Sequence, residues 1–151
     1  ATIDHVTFCR ADGGGGKSDV APPPPPAVPD ASPDLVCDLP TLPQAALIYR
    51  LCADYNPLHA DPSVAKTGGF PRPILHGLCS YGVAGHAILK SCCGYDPSRL
   101  TAISLRFSAP VFPGETIRTE IWRRDGTVQF RSRALQRDII VLNNGVATIA
   151  G

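Results

Sequence analysis

"PILHGLCSYGVAGHAILKSCC", residues 73–93, is the stretch on which the fold turns. It reads as a helix from about His76 to Cys92, dominated by Gly, Ala, Ser and Cys, with larger apolar residues at Leu78, Tyr81, Ile88 and Leu89. Gly82 and Gly85 each cost about 1 kcal/mol relative to Ala inside a helix. A helix that carries such a cost is expected to lie very close to another backbone, such as a curved sheet.

Beyond this helix the apolar period changes from helical to two. "LTAISLRF" puts Ile103, Leu105 and Phe107 on one face, and "ETIRTEIWR" follows the turn signal Pro113-Gly114. Asp125-Gly126 is a hairpin signal leading into "TVQFRSRAL". The last run, "DIIVLNNGVATIA", is either one bulged strand or a small hairpin around Asn144-Gly145. Helices come first and three or four antiparallel strands follow, which makes the class α+β rather than alternating βαβ.

Before the helix, "TLPQAALIYRLCAD" predicts another, with Thr41 as N-cap, Pro43 in the first turn and Gln44 three residues after the cap. Leu42, Ala46, Tyr49 and Ala53 would form its apolar face. Pro57 ends it, because a proline disfavours helical geometry in the residue before it. The compact domain is therefore expected over residues 41–151. Residues 13–40 are Gly-rich and then Pro-rich, with a proline run from Pro22 to Pro26, and read as a linker. Residues 1–12 read as a short strand, Val6 and Phe8 alternating with Thr7 and Cys9, that needs a partner. "GGGGKS" imitates a phosphate loop, but Ala11 stands where the leading glycine belongs and prolines follow where a helix must.

With 44% hydrophobic and 18% charged residues, 151 residues suit one globular domain. The net charge of +1 points to neither nucleic acid nor a membrane surface. No apolar run approaches the ~20 residues of a spanning helix, and the start lacks the order of a signal peptide. The six cysteines form no C-x-x-C pair, and Cys52 and Cys79 sit in apolar helical stretches. Reduced thiols and an intracellular compartment are expected. Arg106, Arg118, Arg123, Arg131 and Arg133 read as a solvated sheet face.

The chemistry lies in "DYNPLHADP", residues 54–62. On a continuous helix Asp54 and His59 would stand about 140° apart. The break at Asn56-Pro57 lets the chain turn back, so that carboxylate and imidazole face one cavity and hold one water, a pairing suited to acid–base chemistry. His76-Gly77, opening the small-residue helix, offers unpaired amides and room for a substrate oxygen. The bland alternatives are a capping Asp54 and a structural His76. Asp61 before Pro62 reads as a turn former or N-cap. A metal site of Asp54, His59, Asp61 and His76 has no recognised ligand spacing, so no metal is expected.

"YRLCADYNPLHADPSVAKTGGFPRPILHGLCSYG" resembles the hydratase 2 motif of MaoC-like hot-dog proteins, above all the hydratase region of eukaryotic peroxisomal multifunctional enzymes. The resemblance runs over residues 41–151, including "RFSAPVFPGETIRTEIW", and faintly includes "HVTFCRADGGGGK" as the end of a preceding hot-dog half. It implies a hot-dog fold, a long central helix wrapped by an antiparallel sheet. It also implies reversible hydration of trans-2-enoyl-CoA to (3R)-3-hydroxyacyl-CoA in fatty-acid β-oxidation. The catalytic residues would be Asp54, His59 and Asn56, and the substrate contacts Pro57, Leu58, Gly77 and Phe107. CoA would arrive with the substrate, so no resident cofactor is implied. The implied partner is a second hot-dog half, present in cis, as a cleaved fragment or as a second copy. The implied location is peroxisomal, although the C-terminal "VATIAG" carries no SKL-type signal. A non-catalytic acyl-CoA-binding half and a hot-dog thioesterase are the competing readings. Cys52-Ala53 stands where proteins of the resembled family usually have Ser-Gly.

Overall fold

Helix α3 of the computed structural model, which describes residues 2–5 and 25–151, runs Gly77–Cys92 with His76 as N-cap, as its composition predicts. Its buried residues are Ser80, Ala84, Ala87 and Ile88. Their spacing of four, three and one puts them on one face. That face packs on strands of a five-stranded sheet. The contact is made by alanines rather than glycines: Ala84 and Ala87 are fully buried, whereas a Cβ at Gly82 or Gly85 would meet no atom within 4 Å. The sheet lies where it is expected, and the two glycines turn away from it.

The sheet has the order β1-β3-β4-β5-β2, and every neighbouring pair is antiparallel. Its strands are β1 Leu35–Pro40, β2 Leu100–Phe107, β3 Thr116–Arg124, β4 Thr127–Ala134 and β5 Ile139–Ile149. Ile117 and Ile121 of β3, Phe130 of β4 and Val141, Leu142 and Ala147 of β5 meet Ala84 and Ile88 of α3 in one core. Within the sheet, Thr119 and Ser132 satisfy each other at 3.0 Å, so neither hydroxyl is left unpaired. The helix on one face of an antiparallel sheet is the hot-dog arrangement.

Asp125-Gly126 makes the β3–β4 hairpin, with Gly126 at φ +65°. The last run is a single strand, bent at Asn144 (φ +53°) where its pairing shifts register. Gly145 follows directly, and here glycine is required. A Cβ would stand 2.6 Å from both the ring and the carbonyl oxygen of Phe130.

Two expectations change. The folded unit starts earlier than residue 41, because β1 pairs with β3 along its whole length. The same segment reaches the outer face of the sheet, where the Trp122 Nε1–H donates to the Ala31 carbonyl at 2.8 Å. The first helix is also shorter than predicted. Helix α1 is only Ala45–Tyr49, followed by a 3-10 turn, Arg50–Cys52. Thr41 does not cap it. Its Oγ1 donates to the Glu115 carbonyl at 2.8 Å and accepts from the Gly114 N–H at 3.0 Å, clasping a loop 74 residues away. Of the predicted apolar face, Ala46 is buried, while Leu42 is 56% exposed.

Several arginines on the outer face are paired: Arg118 with Asp38, Arg131 with Glu120, and Arg133 with Asp138. Five cysteines among the described residues are free thiols. No helix among these residues is long and apolar enough to cross a membrane. The strand expected near the start falls mainly outside the described residues, and residues 2–5 carry none.

The glycines give opposite expectations. Gly82→Ala and Gly85→Ala are each expected to raise the unfolding free energy of this chain by about 0.5–1 kcal/mol, since helix propensity improves and nothing is displaced. Gly145→Ala is expected to lower it by about 1–3 kcal/mol through overpacking against Phe130. Urea unfolding midpoints of the three variants check both.

Candidate active site

Asp54 stands just beyond the 3-10 turn, and its backbone path is set by Ala53, which lies in the left-handed region at φ +75°. There the chain leaves the helical course of α1 and the turn after it. A Cβ is strained in that conformation. The following residues form a second 3-10 turn, Pro57–His59, capped by Asn56, whose Oδ1 accepts the Leu58 N–H at 3.0 Å. The Asn56 N–H in turn donates to Asp54 Oδ1 at 3.3 Å. Asn56 thus orients the loop through both its side chain and its backbone.

His59 is buried, at 9% exposure. Its Nδ1 lies 2.8 Å from the Ile74 carbonyl. A carbonyl accepts only, so Nδ1 carries a proton, and in the neutral ring the lone pair is on Nε2. His76 is buried more deeply, at 1% exposure. Its Nε2–H donates to the Asp54 carbonyl at 3.2 Å and lies 4.0 Å from Asp54 Oδ2. The two imidazoles stack with centroids 3.7 Å apart and planes 25° from parallel. His76 Nδ1 is buried with no partner, an arrangement that costs about 1–3 kcal/mol. Burial holds the His76 pKa below its ordinary value, against the opposing pull of the Asp54 carbonyl.

Donor atoms of Asp54, His59 and His76 fall within 4.8 Å of one another. They are the group from which a metal ion could draw ligands among the described residues. Asp61, also considered for such a site, is elsewhere: it caps helix α2, Pro62–Thr67, through Ser63.

A cleft of about 290 Å³ opens beside this cluster, lined by His59, Phe70, Ile74, Gly77 and Phe107 among others. Gly77 is the first residue of α3, so its amide belongs to the turn that a helix cannot pair internally. The Phe107 ring covers it closely, 3.3 Å from where a Cβ would stand. Of the residues predicted from sequence, His59, Gly77 and Phe107 share this cleft. Asp54 is half exposed beside it. Asn56 and Leu58 line a separate, shallower depression with Val64 and Gly68, and Pro57 lines neither. Sequence reasoning left His76 as a structural histidine, and its stacking on His59 had no signal in spacing. Arg50, close behind, has its buried Nε unpartnered and its guanidinium 5.5 Å from the Tyr55 ring.

A family model described as "MaoC like domain" matches residues 25–144. The chain is 50% identical over 115 residues to a protein of Arabidopsis thaliana named "Enoyl-CoA hydratase 2, peroxisomal", a match covering 76% of this chain and 37% of that protein. It is 45% identical over 145 residues to "Probable enoyl-CoA hydratase 2" of Dictyostelium discoideum, covering 94% of this chain and 49% of that one. Among solved structures, a MaoC-like dehydratase from Phytophthora capsici superposes with a TM-score of 0.83 at 43% identity, over 86% of this chain and 46% of that one. The chain therefore spans half or less of the length of these relatives.

Two outcomes are expected. Ala53→Gly relieves the left-handed strain and should raise stability by about 0.5–1 kcal/mol in urea unfolding. His76 binds its proton at lower pH when folded than when unfolded, so the unfolded chain takes up more protons on acidification. Its contribution to stability is complete above the ordinary value of 6.5 and is lost as pH falls from there toward the folded value. Urea midpoints between neutral pH and pH 5 should fall less steeply in His76→Gln than in the parent.

Proposed function

Because this chain belongs to the MaoC-like domain family, we propose that it catalyses the reversible hydration of trans-2-enoyl-CoA to (3R)-3-hydroxyacyl-CoA in β-oxidation. The observation that carries the reading is the convergence of Asp54 and His59 beside a cleft that His59 and Gly77 both line. Both groups of the pair accept hydrogen bonds, one as a carboxylate and the other through Nε2. A water between them donates both hydrogens and turns a lone pair outward toward C3 of the substrate. Its oxygen bonds C3, its proton passes to the pair, and a proton from the pair goes to C2. Both side chains end as they began. Negative charge gathers on the thioester oxygen between these events, and the Gly77 N–H at the positive end of α3 is the donor placed to meet it.

Asn56 acts in this scheme by orienting Asp54, and Phe107 forms the wall over the thioester. Pro57 and Leu58 shape the turn that delivers His59. The chemistry balances with water and the thioester alone and requires no resident cofactor or metal.

A second hot-dog half would complete the acyl site, whether in the same polypeptide, as a separate fragment or as another copy. Supporting this, Leu47, Ile48, Leu51, Tyr55 and Leu78 are all exposed. These residues lie on α1, the turns after it and the first turn of α3. The relatives' names support a peroxisomal location, which imaging of the tagged protein in cells would test.

The parent protein is expected to remove the enoyl absorbance of crotonyl-CoA or a longer enoyl-CoA. Asp54→Asn and His59→Gln are each expected to lose about 10²- to 10⁴-fold in kcat while the fold persists by circular dichroism. Full activity in both variants would sink the reading. Release of free CoA thiol would instead identify a thioesterase, and acyl-CoA binding without turnover a non-catalytic half.

A further inference from the structure

We propose that His76 is a positioning residue for the Asp54–His59 pair, its ring lying against His59 while its Nε2–H holds the Asp54 backbone; the inference rests on the reading of that pair given above. Three contacts from separate parts of the chain meet on its ring. His59 stacks on one face at 3.7 Å, Tyr49 of α1 tilts against it at 4.7 Å, and the Asp54 carbonyl accepts its Nε2–H at 3.2 Å. At 1% exposure His76 is beyond the reach of a substrate, so it acts through its neighbours.

The unpartnered Nδ1 shows which demand selects the residue. A phenyl ring would stack under His59 without burying an unsatisfied acceptor, but it would lose the donor that holds the Asp54 backbone. A glutamine would keep a donor and lose the plate beneath His59. Histidine supplies both, and the orphaned nitrogen comes with it. The result fixes the rotation of His59 and the path of the loop carrying Asp54 with one side chain.

The charge state follows from the surroundings. Tyr49 and Arg50 face His76 from α1 and the turn after it, Asp54 from the next loop, and His59 from the Pro57–His59 turn. A proton on His76 would place a positive charge 3.7 Å from His59 and oppose any step that leaves a proton there. It would also draw Asp54 Oδ2, 4.0 Å from Nε2, away from the water shared with His59. Burial favours the neutral form of the ring.

The test compares the kcat and KM of crotonyl-CoA hydration at neutral pH for the parent chain, His76→Gln and His76→Phe. Both variants should lose at least about tenfold in kcat with KM held within about threefold. A folded variant with parental kcat, or a loss confined to KM, overturns the proposal. Should a variant fail to fold, nitrogen-15 NMR of the parent's histidines decides instead. His76 is expected as the neutral Nε2–H tautomer at neutral pH, and a charged ring or an Nδ1–H tautomer overturns it. A parent chain that folds but does not hydrate enoyl-CoA overturns the reading of the pair and this inference with it. An active parent with unaffected variants overturns the role of His76 alone.

Discussion

The contact between the alanine face of α3 and the sheet determines where everything else can be. Ala84 and Ala87 have no exposed surface, and their small side chains let the helix axis settle close to the strands beneath. Ile88 then reaches into the layer formed by Ile117, Ile121 and Phe130. Once the axis is set, so is the N-terminus of the helix. It emerges beside the end of β2, where Phe107 covers Gly77, and within reach of the loop that leaves α1. The candidate site is the place where a buried packing decision leaves a helix start uncovered.

That site is held by backbone far more than by side-chain pairs. His59 is anchored on the Ile74 carbonyl, His76 on the Asp54 carbonyl, and Asn56 on the Leu58 amide. None of these partners changes when a surface residue is substituted or salt is added. The arrangement is therefore sensitive to the course of the chain between Ala53 and Gly77, and to the Tyr49 ring that tilts against His76. The left-handed Ala53 is the point at which that course carries local strain.

How much was legible in the sequence depended on whether each feature is local. The small-residue stretch and the Asp125-Gly126 turn act over a few residues, so α3 and the β3–β4 hairpin follow from pattern. Strand β1 was hidden because "LVCDLP" is flanked by prolines and its register comes wholly from β3, some eighty residues later. Thr41 looked like a cap because its nearest amides are local, while its real partners, Glu115 and Gly114, are distant. Gly82 and Gly85 misled for another reason: composition shows that a helix face is small without showing which face is buried. Asp54 and His59 could be picked out because Pro57 announces the break between them. His76 could not, since stacking of two rings seventeen positions apart leaves no trace in spacing.

Trp122 is the single tryptophan of the chain. Its indole is nearly inaccessible, with its N–H on Ala31 and the Arg131 guanidinium 5.3 Å from the ring. It therefore sits at the seam where the segment leading into β1 is laid onto the back of the sheet, on the side away from α3. Tryptophan emission, excited apart from the four tyrosines, is consequently a reporter of this one seam. It registers whether the leading segment is docked, and stays dark to events among the histidines at the opposite face.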